Sequence, residues 1–253
     1  DFSRDVILTW NGTTSGVRVP GGGFIPADRA GLTFVDATSA AFAQMIDWTK
    51  VDVATFSWQK ALGGEAQHGM LVLSPRAVRR LETHEPKWPL PKVFRLARGG
   101  KLIGGIFAAE TINTPSMLCV EDYLDAMGWA AAVGGLWALQ ARADANAGAL
   151  DRWVTRTPWV RHLAADPKTR SNTSVCLAFD DRVVPPARQE NLGNAIAATL
   201  EAEAVAYDIG PYRDAPPGLR IWCGCTVETA DIEALVPWLD WAYATASTET
   251  GHD

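Results

Sequence analysis

The sequence predicts an α/β fold in which helices cover the faces of a sheet, followed by a small α+β unit at the C-terminal end. Three observations predict it. Short apolar runs alternate with turn residues through the first third of the chain, a strand–helix–strand rhythm runs through them, and one long apolar stripe at helical spacing begins at Leu136.

The runs Val6–Thr9, 32–35, 51–56 and 70–73 are each bounded by Gly, Pro, Asp or Asn, and read as buried strands. Between the second and third, residues 40–46 read as a short helix. After Pro75 the arginine-rich segment 76–82 reads as helical, and Pro86, Pro89 and Pro91 then exclude a helix and predict a surface loop. Pro115 and Ser116 are suited to open the next helix. Beyond Leu136, the positions Leu139, Ala143, Ala147, Leu150 and Trp153 recur at three and four residues, the spacing of one buried helical stripe long enough to join two domains. A strand at Ser174–Phe179, a helix at 188–200, strands at 204–207 and 219–223 and a helix at 230–244 complete the α+β unit.

With 47% hydrophobic and 21% charged residues among 253, the chain can bury a sizeable core. Its net charge of −6 and scattered Lys and Arg exclude a nucleic-acid stripe. No apolar run reaches the roughly 18–20 residues of a membrane span, so a cytoplasmic protein is expected. Cys119, Cys176, Cys223 and Cys225 form no CxxC pair and are expected in the core, with Cys223 and Cys225 on one face of a strand. His68, His84, His162 and His252 carry no catalytic signal, and the eleven tryptophans read as core and interface. The chain opens on Asp1 and runs directly into an apolar strand, which reads as the middle of a domain.

The chemistry concentrates at strand ends. In Thr55-Phe56-Ser57-Trp58-Gln59-Lys60-Ala61-Leu62-Gly63-Gly64 a strand ends and a lysine stands at the mouth of a glycine turn. A pocketed amine of this kind suits Schiff-base chemistry, and a solvated loop lysine is the other reading. Asp36 closes an apolar strand, where a carboxylate can pair with a buried cation or cap the helix that follows. Trp10-Asn11-Gly12-Thr13-Thr14-Ser15-Gly16 follows the first strand and offers hydroxyls at the same edge. Hydroxyl, carboxylate and lysine thus arrive in an order that suits a pyridoxal 5'-phosphate (PLP) site, whose pyridine nitrogen needs a carboxylate partner.

The run Ser57-Trp58-Gln59-Lys60-Ala61-Leu62-Gly63-Gly64-Glu65, continued by His68 to Arg76, resembles the cofactor-lysine segment of phosphoserine aminotransferases, members of the fold-type I, class V aminotransferases. The resemblance extends through Ile112-Asn113-Thr114-Pro115-Ser116 and from Asp208 to Trp222, so it covers essentially the whole chain. It implies part of a PLP-binding large domain over 1–132, with a mostly parallel sheet and helices on both faces. A connecting helix and small C-terminal domain over 133–253 follow.

The resemblance also implies that Lys60 holds PLP through a Schiff base and then shuttles a proton between the substrate Cα and the cofactor. Asp36 would face the pyridine nitrogen, Thr13 the ring hydroxyl and Gln59 the cofactor phosphate. Asn113 and Thr114 match a motif that reaches the cofactor phosphate of a neighbouring subunit, which implies a homodimer. Arg220 matches the arginine that takes the substrate carboxylate. Arg213 follows Tyr212 where some members carry a His-Arg pair for the substrate phosphate. The implied reaction, in L-serine biosynthesis, moves an amino group between O-phospho-L-serine and 2-oxoglutarate, giving 3-phosphooxypyruvate and L-glutamate. The family's N-terminal stretch, with its glycine-rich phosphate cup and an aromatic residue over the cofactor, is not matched by these residues. Three readings therefore stand side by side: this reaction, another class V activity of the alanine- or serine-glyoxylate aminotransferase type, and a catalytically incomplete fragment.

Overall fold

The computed structural model describes residues 1–249. β1 (Val6–Thr9), β2 (Thr33–Asp36), β3 (Val53–Ser57) and β4 (Gly69–Leu73) form one sheet in that spatial order. The pairings β1 to β2 and β2 to β3 are parallel, and β3 to β4 is antiparallel. The last strand returns through the glycine turn after Lys60.

Burial corrects the expectation for both edge strands: on β4 no residue is buried and Val72 is 41% exposed. β1 lies at an edge of this sheet, and Ile7 is 81% exposed rather than buried. An edge strand has a neighbour on one side only, so its alternating residues are not all covered.

A second correction falls on 40–46, which forms consecutive turns instead of a helix. Phe42 sits at a φ of 67° and sets its ring edge-on to Phe56, 5.7 Å away. Seven residues are too few to nucleate a helix unaided, so tertiary packing decides their conformation.

α1 (Pro75–Thr83) begins at Ser74, whose hydroxyl accepts from the Ala77 N–H. α2 (Met117–Ala132) is capped by Ser116, which accepts from the Cys119 N–H as the sequence predicts. Gly134 and Gly135, both at positive φ, break the chain before α3 (Gly135–Arg156). On α3, Leu139 and Ala143 join a core cluster with Trp58, Ala61, Leu62 and Cys119. Leu150 and Trp153 join a different cluster, built from the C-terminal elements. One helix thus carries two cores.

β5 (Val160–His162), β6 (Ser174–Phe179) and β7 (Gly218–Trp222) form an antiparallel sheet with β6 in the centre. α4 (Pro186–Ala202) and α5 (Thr229–Glu249) pack with it. β5 is too short for the sequence to signal. Residues 204–207, expected as a strand, instead end α4. Ala204 adopts a φ of 54°, the Val205 N–H donates back to the Leu200 carbonyl, and Val205 and Ala206 pack on the core. An apolar contact just past a left-handed helix end mimics a strand in sequence.

All four cysteines are free and buried. Cys223 and Cys225 lie beyond the end of β7 and enter different clusters, so they do not share a strand face as expected. Burial pushes the Cys225 thiol up to about 11 and raises that of Cys223 further. Of the tryptophans, Trp10, Trp58, Trp153 and Trp159 are core, whereas Trp88 and Trp137 are largely exposed. His252 lies outside the described residues. Among the described residues, no helix is long and apolar enough to cross a membrane.

Candidate active site

In the parallel register Thr9 stands opposite Asp36 and Asp36 opposite Thr55, so the carboxyl ends of β1, β2 and β3 lie side by side. Crevices for ligands form at such ends. An open cavity of about 360 Å³ lies there, and its lining includes Thr13, Asp36, Thr38, Ser39 and Lys60. Three residues singled out in the sequence, Thr13, Asp36 and Lys60, are brought together.

Thr13 lies in the turn between the short paired segments Asn11–Gly12 and Val17–Arg18. Gly16 closes that turn at a φ of 65°, its N–H donating to the Gly12 carbonyl at 2.9 Å. The Thr13 carbonyl accepts from the Ser174 hydroxyl at 3.0 Å and from the Cys176 thiol at 3.4 Å. Asn11, buried beneath, donates to Ser39 Oγ and Thr173 Oγ1. The loop is therefore pinned to β6 and to the segment before it, far along the chain.

Asp36 is exposed to the cavity side, and its Oδ1 accepts from the Thr38 N–H at 2.9 Å and the Thr38 hydroxyl at 2.6 Å. It organises a turn there, because the expected helix is not formed. Lys60 is half-buried between fixed neighbours. The Gly63 N–H donates to the Lys60 carbonyl at 3.1 Å and the Gly64 N–H to the Trp58 carbonyl at 3.0 Å. Trp58 stacks on Tyr123 of α2 at 4.3 Å, and the Glu65 N–H donates to Asp122. Its other neighbour is His68, set edge-on at 5.5 Å. His68 packs on Trp58, and its Nε2 is buried without a hydrogen-bond partner.

The Lys60 ammonium nitrogen lies 5.5 Å from the centroid of the Trp222 ring. Sequence reasoning missed Trp222. Across β6 and β7, Trp222 pairs with Ser174 and Arg220 with Cys176, and cross-strand pairs share a face. That face is the one Ser174 and Cys176 turn toward the Thr13 loop. Gly224 leaves room for the indole, since a Cβ there would stand 2.4 Å from a ring atom.

None of the remaining predicted residues lines this cavity. Gln59 is half-buried, and its Oε1 is buried without a hydrogen-bond partner. Arg220 is 10% exposed and pairs with Asp208 at 2.9 Å. Asn113 and Thr114 are exposed in the loop before α2 and do not line the Lys60 cavity. Arg213 is exposed and lines a separate cavity of about 400 Å³ with Glu190, Asn194 and Tyr212.

A sheet whose parallel strand ends border one cavity, together with a small α+β unit, is the architecture of the fold-type I PLP-dependent transferases. Solved structures share it. The phosphoserine aminotransferase of Bacillus circulans superposes with a TM-score of 0.75 at 19% identity, covering 94% of this chain and 59% of that one. The pyridoxamine-pyruvate aminotransferase of Mesorhizobium loti gives 0.75 at 20% identity, covering 96% and 60%.

Sequence narrows the relationship: the chain is homologous over nearly its whole length to phosphoserine aminotransferases. That of Methanosarcina barkeri is 56% identical over 243 residues, and that of Methanosarcina mazei 55%. Each match covers 96% of this chain and 64% of the relative, so the chain spans a little under two thirds of the relatives' length. No family model matches it.

Proposed function

We propose that this chain is the catalytic-lysine portion of a phosphoserine aminotransferase, which moves an amino group between O-phospho-L-serine and 2-oxoglutarate in L-serine biosynthesis, with PLP as cofactor. The observation that carries the reading is the convergence of Thr13, Asp36 and Lys60 on one cavity at three strand ends. The lining fits the cofactor: the hydroxyls of Thr13, Thr14, Ser15 and Thr38, the Asp36 carboxylate and the Lys60 amine border one cavity.

Bound PLP supplies an electron sink for the pair released when the substrate Cα–H bond breaks. Lys60 anchors the cofactor and carries the proton at that Cα. The Asp36 carboxylate keeps a proton on the ring nitrogen, Thr13 meets the ring hydroxyl, and Gln59 helps to hold the phosphate. Arg220 takes the substrate carboxylate through its planar guanidinium. Arg213 is proposed for the substrate phosphate.

Residues 1–132 are proposed as part of the cofactor-binding domain, and 133–253 as the connecting helix and small domain. The two clusters along α3 support that division. A homodimer is part of the same proposal, with Asn113 and Thr114 reaching the partner's site. Exposed Met117, Leu118 and Leu124 on α2, next to that loop, support a covered surface there. A cytoplasmic setting suits four free cysteines.

A second reading, a class V aminotransferase for a small unphosphorylated amino acid, is favoured by one observation: Arg213 faces a cavity other than that of Lys60. The test is incubation of the chain with PLP, borohydride reduction and peptide mapping, followed by turnover of phosphoserine and of alanine. Label confined to Lys60 with phosphoserine turnover supports the proposal. Alanine turnover without phosphoserine turnover favours the second reading, and label spread over surface lysines overturns both for this chain.

A further inference from the structure

Arg220 is nine-tenths buried, yet the carboxylate that pairs with it is 87% exposed. Its Nη2 donates to Asp208 Oδ2 at 2.9 Å and to the Asp208 carbonyl at 3.2 Å, while its Nε is buried and has no hydrogen-bond partner. The Tyr212 ring lies over the guanidinium, 4.1 Å from Cζ. Asp208 itself is held at a φ of 53°, a region that side-chain-bearing residues rarely occupy. The cation is thus closed off by two residues of one short loop.

The pairing is incomplete. A guanidinium binds a carboxylate best through parallel bonds from two nitrogens, whereas Asp208 engages Nη2 alone. An ion pair whose carboxylate stands in water is also a weak one. Such a contact can hold a side chain in place and still be exchanged for a better-shaped anion.

We infer that Asp208 is a specificity-determining residue: with Tyr212 it occupies Arg220 as an internal carboxylate and yields only to a ligand carboxylate that takes two N–H groups of the guanidinium. This rests on the proposal that Arg220 receives the substrate carboxylate. The loop 208–213 therefore moves aside when substrate enters, and the affinity for carboxylates is set partly by the strength of the internal pair.

The experiment measures binding of glutarate, a dicarboxylate without a transferable group, to the full chain by calorimetry. Asp208→Asn keeps the shape and tolerates the left-handed backbone. Asp208→Gly, which accepts that backbone freely, is the second variant should the first misfold. Both are expected to bind glutarate about two- to fivefold more tightly than the parent, and Arg220→Ala to lose binding. Binding that appears only in the Asp208 variants carries the same meaning. If Arg220→Ala loses binding while the Asp208 variants bind equally or more weakly, Asp208 is a positioning residue and the inference falls, leaving the role of Arg220 intact. If Arg220→Ala binds as well as the parent, or no protein binds, the role of Arg220 falls and the inference with it.

Discussion

The Lys60 ammonium nitrogen and the Trp222 indole face one another at 5.5 Å, the lysine from the turn after β3 and the tryptophan from the last residue of β7. A cation over an aromatic face is attracted by the ring's quadrupole. The contact ties the lysine of the first sheet to the second sheet, so the candidate site belongs to both parts of the chain.

Replacing Lys60 with alanine removes that contact. The cost is expected to stay within about 1 kcal/mol, because a partly exposed cation–π pair contributes ~0.5–1 kcal/mol. Thermal denaturation checks the stability, and loss of borohydride-trapped PLP checks the role. A large loss of stability would mark Lys60 as structural.

Asp52 is the anchor of the first sheet. Its carboxylate is 2% exposed and accepts from the Arg29 guanidinium at 2.8 Å, the Thr33 N–H at 2.9 Å and the Ser74 hydroxyl at 2.9 Å. Burial by itself raises its pKa, but the bonds from Thr33, Ser74 and Arg29 outweigh it and hold the carboxyl below its usual range. Asp52→Asn leaves Arg29, 3% exposed, without its charge partner. A loss of about 3–5 kcal/mol is expected in urea denaturation at neutral pH. Because a depressed carboxylate stabilises above its unfolded pKa, the gap between parent and variant should narrow as pH falls below about 4.

His162 predicts a pH dependence of the opposite origin. Burial and the nearby Arg170 charge push its imidazole below 6.5, against the pull of Asp151 at 2.9 Å. The folded state thus favours the neutral ring, and the unfolded chain takes up a proton first as pH falls. The contribution is complete above about 6.5 and is lost as pH falls below it. Melting temperatures between pH 7 and 5.5 should drop in the parent and drop less in His162→Gln. Equal slopes would discard the assignment.

Gly16 holds the Thr13 loop against β6. A Cβ at that position would stand 2.9 Å from Cys176 Cβ and 3.0 Å from its backbone nitrogen, at a φ of 65°. Gly16→Ala is expected to cost at least ~1–2 kcal/mol from the backbone conformation alone. It should also speed amide exchange through residues 12–17, measured by mass spectrometry. An unchanged exchange pattern would show that the loop is held elsewhere.

Much of this arrangement was legible in the residues. The four runs of the first sheet, the Ser116 cap and the stripe on α3 follow from alternation, turn chemistry and helical spacing, all of which act over a few residues. The illegible parts fail for identifiable reasons. Residues 40–46 have helical composition but are set by the Phe42–Phe56 contact, and 204–207 have strand composition but serve the end of α4. In each case a contact outside the segment outweighed a local preference.

By itself the sequence determined that a hydroxyl, a carboxylate and a lysine stand at successive strand ends, because strand period and turn residues are local properties of the chain. Only the tertiary structure decided that Ser174 and Cys176 pin the Thr13 loop, that Trp222 faces Lys60 and that Asp208 closes Arg220. Those relations depend on how β6 and β7 pair and on which of their faces turns toward the first sheet. Packing of distant segments sets that choice, and no local spacing encodes it.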